Sequence, residues 1–165
     1  AEQRLLDLDK TVLSSIGEVF KVVGISLLDK IGGAAGPIFS TIFLSGAKIA
    51  KDKETADLNL LAAMFEQAVE DVCKRGNSKP GDKTLIDSLN PAVKSLKESA
   101  EKDVNLNEGI NLAYQAAEDG LEATKDMAPK QGKSRYLKDR AIGHQDAGAT
   151  SITIIFKAMN EYISS

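Results

Sequence analysis

The residues best suited to chemistry lie together in the segment 132–151, GKSRYLKDRAIGHQDAGATS. It combines basic side chains, the only histidine of the chain and three of its 13 glycines. Glycine inside a helix costs about 1 kcal/mol relative to alanine, so Gly143 and Gly148 argue against a uniform helix here. A loop that brings backbone N–H groups and positive charge to an anion does need glycine. Because the apolar run 152–156 follows, the segment predicts a ligand-binding loop ahead of a buried element.

The polar side chains of this segment also have a purely structural interpretation. His144 alone cannot define a metal site, and a single histidine is more often a hydrogen-bonded structural residue. Asp146 is suited to capping the start of the last helix. The basic residues could simply form a solvated surface; they are Lys133, Arg135, Lys138 and Arg140.

Two further glycine-rich junctions could hold an anion. Residues 32–37 read GGAAGP, and a helix that starts there presents unpaired N–H groups to a phosphate. A tight interhelical turn is the favoured interpretation, because short glycine motifs are weak evidence.

The second junction, at residues 75–84, reads RGNSKPGDKT. Its ending looks like a Walker A loop, but the upstream strand and the glycine spacing of that motif are absent. A P-loop is therefore rejected. Thr84 could still bind a phosphate through its hydroxyl and N–H, while Asp82 could instead be a helix N-cap.

Composition indicates one globular domain without nucleic-acid or membrane partners. A length of 165 residues, with 42% hydrophobic and 27% charged residues, fits a single domain with a sizeable core. The net charge of −3 argues against nucleic-acid binding, which needs a cationic surface. No apolar run approaches the roughly 20 residues of a membrane span, and no signal peptide is expected. The single cysteine, Cys73, excludes an internal disulfide, so a cytoplasmic location is expected.

Helical periodicity runs through nearly the whole chain and predicts the elements that must position these junctions. Glycines should end the first and third helices, the third at Gly76, and Pro91 should bend or split the fourth. The predicted fold class is all-α, with antiparallel helices joined by short Gly/Pro turns, so that alternate junctions could converge at one end. The first predicted helix contains Val12 to Leu28, and the others cover about 37–50, 58–75, 83–100, 107–127 and 147–162.

Taken in order, IGGAAGP at 31–37, RGNSKPGDKT at 75–84 and the segment 132–151 resemble the L, nucleotide-binding subunit of dihydroxyacetone kinase. The resemblance covers nearly the whole chain from about Gly17 onward, and the last motif is its most specific part. It implies a single domain over residues 1–165, folded as an antiparallel barrel of about eight helices with a nucleotide site at one rim. ADP or ATP would bind there with magnesium.

The resemblance also implies a reaction and its partners. A phosphoryl group passes to dihydroxyacetone, which a histidine of a separate K subunit holds covalently. In the phosphotransferase-system branch the nucleotide stays bound, and a phosphohistidine protein, the M subunit, converts ADP back to ATP in place. No catalytic residue is implied on this chain, because the acceptor hydroxyl lies on the partner subunit.

The nucleotide contacts that the resemblance implies are Ala34, Ala35, Gly76, Thr84, Leu85, Lys133, Asp146, Ala147 and Gly148. Some of these positions depart from the family pattern. Ala35 stands where Ser is common and offers only its backbone N–H. Lys133 stands where Arg is common, so a compact ammonium group replaces the planar guanidinium group, which can donate two parallel hydrogen bonds. Ala147 stands where Pro is common.

The largest departure concerns the family's magnesium motif, approximately L-D-x-x-I-G-D-x-D-H-G. Magnesium prefers oxygen ligands in near-octahedral geometry, so clustered aspartates are the expected chemistry. Only Asp9 matches a metal ligand of this motif, and Lys10 follows it directly in place of the other carboxylates. We hypothesise that an internal segment between about Asp9 and Lys10 is missing from this sequence. If the peptide is intact there, the protein is expected to be a poor kinase.

Two other functions remain open on the same fold. Related kinases use free ATP and act on dihydroxyacetone or on another small ketose such as erythrulose. A degenerate subunit could instead bind the K subunit and regulate it without catalysis. Tight ADP retention would favour the phosphotransferase branch, fast nucleotide exchange the ATP-dependent one, and loss of magnesium-dependent nucleotide binding the regulatory one.

Overall fold

A computed structural model describes residues 15–165, and this range is built of α-helices and short 3-10 turns without any strand. The all-α prediction is therefore confirmed. In the same range, no helix is long and apolar enough to cross a membrane. The helices are α1 (Ile16–Lys30), α2 (Ala35–Ile49), α3 (Leu58–Gly76), α4 (Ile86–Glu101), α5 (Leu106–Ala123) and α6 (Ala147–Ser164). The 3-10 turns are Thr124–Asp126, Lys133–Tyr136 and Lys138–Ala141.

The chain forms two compact units, Ala1–Arg75 and Gly76–Ser165. In the first unit α1 and α2 run antiparallel, because Gly17 at the start of α1 donates its N–H to the carbonyl of Ala50, just past the end of α2. Helix α3 is joined to α2 through the Ser45 hydroxyl, which donates to the Asp71 carboxylate at 2.7 Å. This hydrogen bond is the main reason why the pKa of Asp71 lies below its ordinary value.

The second unit packs α4, α5 and α6 around one buried polar contact. The Ser88 hydroxyl of α4 donates to the Ala117 carbonyl of α5 at 2.9 Å, and it lies 2.9 Å from the Thr153 hydroxyl of α6. Near one end of the unit the Asn107 amide of α5 approaches the Ile163 carbonyl of α6. Helix α5 therefore runs antiparallel to α6. The surrounding side chains are almost completely buried and form the core of the unit: Leu89, Leu96, Ile110, Ile152 and Phe156.

Pro91 does not split α4, which continues without a break from Ile86 to Glu101. Proline has no N–H for the carbonyl of the residue four positions earlier, which is Asp87. Gly120 of α5 packs against this same carbonyl: a Cβ on Gly120 would lie 2.2 Å from the Asp87 oxygen and 2.8 Å from Pro91 Cγ. Glycine at position 120 therefore lets α5 pack closely against the carbonyl that Pro91 leaves without a helical donor.

Helix α3 ends one residue later than predicted. Gly76 is its last helical residue, and Asn77 takes the left-handed conformation, with φ of 46°. Asparagine is the residue other than glycine that most readily ends a helix in this way. Gly76 is therefore not the helix stop that its type suggested.

Replacing Gly120 by alanine tests the contact between α4 and α5. Alanine normally stabilises a helix interior by about 1 kcal/mol relative to glycine. Here we expect the opposite sign, a loss of about 1–3 kcal/mol in the free energy of unfolding, because the new methyl group meets backbone. Urea unfolding followed by circular dichroism measures this difference. Gly32→Ala is the matched control, since a Cβ at Gly32 meets no heavy atom within 4 Å. Equal or greater stability of Gly120→Ala would contradict the proposed contact.

Candidate functional site

The turn that leads into α4 is held by hydrogen bonds to the side chains of Thr84 and Asp87. The Thr84 hydroxyl oxygen accepts the Ile86 N–H at 3.2 Å, and the Asp87 carboxylate accepts the Thr84 N–H at 2.8 Å. The other carboxylate oxygen of Asp87 accepts the N–H of Gly81. The bond from the Thr84 N–H to Asp87 matches one half of a capping box, with aspartate in the fourth position. Because the Thr84 N–H is donated to Asp87, the hydroxyl is the group through which Thr84 would contact a phosphate.

Asp82 stabilises the turn before α4 and does not cap the helix. Its carboxylate accepts the Lys79 N–H at 2.9 Å and lies 3.6 Å from the Lys130 ammonium group. Its carbonyl accepts the Lys130 N–H at 3.0 Å, so Lys130 is held to the turn through both its backbone and its side chain. The segment that follows α5 is therefore attached to the start of α4.

The start of α6 is capped by Asp146, as the structural interpretation of this residue predicted. Its carboxylate accepts the Ala149 N–H at 2.9 Å, and its own N–H is donated to the Thr124 hydroxyl at 3.0 Å. The Ser134 hydroxyl donates to the second carboxylate oxygen at 3.4 Å. Asp146 is only 8% exposed, so it serves first as a buried cap. Its predicted contact with a nucleotide remains a prediction.

The starts of α4 and α6 touch each other. A Cβ on Gly148 would lie 3.1 Å from Leu85 Cβ and 3.3 Å from the Leu85 nitrogen. Gly148 thus permits a close approach of two backbones, whereas Gly143 is needed for its left-handed φ of 86°. Thr84, Leu85, Asp146, Ala147 and Gly148, predicted from separate motifs, are brought together here. Two adjacent helix N-termini present partial positive charge on one side, which favours an anionic ligand.

The first predicted junction lies in the other unit, at the start of α2. Ala34 occupies the capping position and makes no side-chain hydrogen bond to the helix, in contrast to the side-chain caps of α1, α5 and α6. A Cβ on Gly36 would lie 2.1 Å from the Ile31 carbonyl oxygen, so the turn before α2 is tight. These observations are compatible with both interpretations of the junction. It is a tight turn, and it is also the start of a helix at Ala34 and Ala35 that has no side-chain cap and could face a phosphate.

The segment between α5 and α6 carries exposed basic residues on two 3-10 turns. Lys133 begins the first turn, and the exposed Arg135 lies with its guanidinium 4.9 Å from the centroid of the Tyr136 ring. His144 is exposed and contributes its backbone carbonyl to the packing. Three basic side chains of this segment are exposed to solvent, namely Arg135, Lys138 and Arg140.

Glu122 joins the end of α5 to the residue before Asp146. Its carboxylate accepts hydrogen bonds from the Lys125 ammonium group and from the Gln145 amide, the latter at 2.9 Å. These bonds, with Lys125 as the larger cause, hold the pKa of Glu122 below its ordinary value. The folded state therefore favours the anionic form. The stabilisation is present at neutral pH and is lost as pH falls through the lowered pKa.

The predicted magnesium ligand, Asp9, and the proposed break after it lie outside the described residues. Among residues 15–165, no group of three His, Cys, Asp or Glu side chains is arranged to hold a metal ion.

Comparison with known proteins places the chain in a family. Residues 2–161 match the family model described as the DAK2 domain. This chain belongs to the DAK2 domain family. The family resemblance drawn from the motifs is thereby confirmed.

Two curated relatives show how far the similarity extends. This DAK2 domain is 36% identical over 144 residues to the PEP-dependent dihydroxyacetone kinase, ADP-binding subunit DhaL, of Escherichia coli strain K12, across 87% of this chain and 69% of that protein. It is 34% identical over 158 residues to the PTS-dependent dihydroxyacetone kinase, ADP-binding subunit DhaL, of Lactococcus lactis, across 95% of this chain and 73% of the relative.

A solved structure supports the fold. The dihydroxyacetone kinase of C. freundii in complex with AMP-PNP and Mg²⁺ superposes with a TM-score of 0.65 at 24% identity. The likeness covers 89% of this chain and only 23% of that longer chain. At this identity the comparison shows a shared fold.

Several residues that organise the site were not singled out from the sequence. Asp87 supports the turn before α4, and the spacing of Thr84 and Asp87 is the signal that could have revealed it. Lys83 is 1% exposed and donates to the carbonyls of Thr124 and His144. No local pattern marks a lysine as buried, because lysine is almost always exposed.

Replacing Asp87 by asparagine tests whether the turn before α4 depends on this carboxylate. We expect a loss of about 1–3 kcal/mol in the free energy of unfolding, because the N–H of either Gly81 or Thr84 would face the new NH₂ group of a buried side chain. Chemical denaturation measures the effect. Asp119→Asn on exposed α5 surface should change stability by less than about 0.5 kcal/mol. Equal effects of the two substitutions would show that the carboxylate of Asp87 has no special role.

Proposed function

We propose that this DAK2 domain is the nucleotide-binding subunit of a dihydroxyacetone kinase and that it transfers a phosphoryl group from bound nucleotide. The observation that carries the proposal is the contact between Leu85 and Gly148, which joins two helix starts carrying the family's motifs. Helix N-termini of this kind suit the phosphates of ADP or ATP. The curated relatives named ADP-binding subunits match most of this chain.

The chain's own contribution is to bind and orient the nucleotide. The first-turn N–H groups of α6 and the Thr84 hydroxyl would face the phosphates, and Leu85 would border the nucleotide. Ala34 and Ala35 at the start of α2, Gly76 and Lys133 are further predicted contacts. When bound, magnesium would neutralise charge on the phosphates, and Asp9 is the one ligand for it that we propose on this chain.

The partners follow from the same proposal. The acceptor dihydroxyacetone would be held by a K subunit, and a phosphohistidine-carrying M subunit would convert bound ADP to ATP. The relatives' descriptions as PEP-dependent and PTS-dependent support this donor. We propose the cytoplasm as the location, as the single cysteine suggested.

A free-ATP mechanism is the second candidate, because relatives of another type also match. An L-erythrulose kinase of Pectobacterium atrosepticum is 33% identical across 83% of this chain, although the chain covers only 23% of that protein. On this alternative the domain exchanges ADP rapidly for ATP and phosphorylates dihydroxyacetone or another small ketose.

Nucleotide retention separates these functions. The protein is purified without added nucleotide, denatured, and the released nucleotide is identified by chromatography. Retained ADP that becomes ATP on adding phosphohistidine donor supports the main proposal, and rapid exchange with free ATP supports the second candidate. If ADP with magnesium does not bind at all but the K subunit does, the domain is a regulatory partner and the proposed function is wrong.

Peptide mapping tests the proposed missing segment. As written, the sequence yields the tryptic peptide LLDLDK from residues 5–10. We expect this peptide to be absent from the purified protein and a longer, aspartate-containing peptide to replace it. Detection of LLDLDK at its calculated mass would show that the chain is intact after Asp9.

Replacing Gly148 by alanine tests the nucleotide contact at the start of α6. The methyl group would meet Leu85 and Asp146 at 3.0–3.3 Å, so the helix start must shift by a few tenths of an ångström. We expect ADP affinity in magnesium buffer to fall about ten-fold, a change of about 1.4 kcal/mol, by isothermal titration calorimetry. Ala158→Ser, on an exposed part of the same helix, is the control. Unchanged affinity in Gly148→Ala would place the nucleotide elsewhere.

A further inference from the structure

Lys83 combines two unfavourable features in one residue. Its side chain is 1% exposed, and its backbone φ of 57° lies in the left-handed region that lysine rarely adopts. Burial of an ammonium group is costly unless hydrogen bonds replace its water. Strained and buried polar residues of this kind concentrate at functional sites, where the surrounding structure maintains them.

The hydrogen bonds of Lys83 connect three segments of the second unit. The ammonium group donates to the Thr124 carbonyl at the end of α5 and to the His144 carbonyl at 2.7 Å. Thr124 in turn accepts the N–H of Asp146 through its hydroxyl. Lys83 itself directly precedes Thr84. This side chain therefore connects the start of α4 to both ends of the segment 125–145. Through Thr124 it also connects the start of α4 to the start of α6.

The acceptors explain why a lysine is suited to this position. Two carbonyl oxygens converge there, and one of them belongs to the C-terminal end of a helix, where partial negative charge favours a cation. An apolar side chain of similar length would fill the space but leave both carbonyls without this donor.

We propose that Lys83 is a positioning residue that sets the separation between the starts of α4 and α6 and holds the segment 125–145 against them. The inference rests on the proposed function, because it takes these helix starts as part of the nucleotide site. Lys83 acts through Thr84, His144 and Asp146 and makes no contact with nucleotide. A merely structural lysine would contribute to folding but leave the affinity of the folded protein unchanged.

The substitution Lys83→Met keeps the length of the side chain and removes its donors. We expect the affinity for ADP with magnesium to fall at least ten-fold and tryptic cleavage within residues 133–140 to become at least ten-fold faster. Both are measured at low temperature in sucrose, which favours the folded state, and circular dichroism confirms folding. Lys94→Met, an exposed lysine of α4, is the matched control and should change neither quantity.

Chemical rescue separates positioning from general destabilisation. Lys83→Cys in a Cys73→Ala background is treated with bromoethylamine under denaturing conditions and refolded, which forms a C–S bond with loss of bromide and restores an amine of nearly lysine length. We expect ADP affinity and tryptic resistance to return to within about three-fold of the Cys73→Ala protein, since the carbonyls regain their donor. If Lys83→Met does not fold, the Lys83→Cys protein before alkylation, which also lacks the ammonium donor, takes its place.

The outcomes are distinguishable from failure of the proposed function. Folded Lys83→Met protein with wild-type ADP affinity, or folded unalkylated Lys83→Cys protein with the ADP affinity of the Cys73→Ala protein, would overturn the positioning role. Weak ADP binding that amine rescue restores would support it. If the wild-type protein binds no ADP, the proposed function fails, and faster tryptic cleavage in the variant then still tests the attachment of the segment 125–145.

Discussion

The backbone contact between Gly120 and Asp87 is the constraint on which the second unit depends. Pro91 deprives the Asp87 carbonyl of its helical donor, and Gly120 brings α5 close enough to pack directly against it. The carboxylate of the same aspartate holds the turn that leads into α4. A single residue therefore links the packing of two helices to the shape of the loop that carries Thr84 and Leu85. Any change in the distance between α4 and α5 would be transmitted to that loop.

Buried polar groups are concentrated at this end of the unit. Asp82, Lys83, Asp87, Thr124 and Asp146 are each less than 9% exposed, and each makes hydrogen bonds to backbone groups. Buried and satisfied polar networks give a segment a defined geometry, which an apolar cluster of the same size specifies less closely. The α4 and α6 starts are thus held by directional bonds, whereas the middle of the unit is packed mainly by aliphatic side chains. A phosphate-binding site needs directional hydrogen bonds of this kind, because the positions of its donors must be set within a fraction of an ångström.

Local sequence patterns located most of the architecture. Helical periodicity identified every described helix within a few residues, and Asp146 could be identified as a cap because capping depends only on neighbouring residues. The motifs also led to the family, which the match over residues 2–161 confirms. The two exceptions have different causes. Asn77 took the left-handed position after α3, which is a local effect, whereas Pro91 lies beside a glycine of α5, which is a tertiary contact.

The sequence by itself determined the fold class, the approximate extent of each described helix, the Asp146 cap of α6 and the residue types available to an anionic ligand, since these follow from periodicity, capping and composition. The tertiary structure alone decided that Leu85 meets Gly148 and that Lys83 is buried between two carbonyls. These contacts join residues at least 41 positions apart, beyond the reach of propensity or of spacing within one element. Burial of Lys83 in particular depends on acceptors that exist only after α4, α5 and the segment 125–145 have packed together. The segment 132–151 therefore predicted a ligand-binding loop, while the residues that hold the segment in position became visible only in the folded chain.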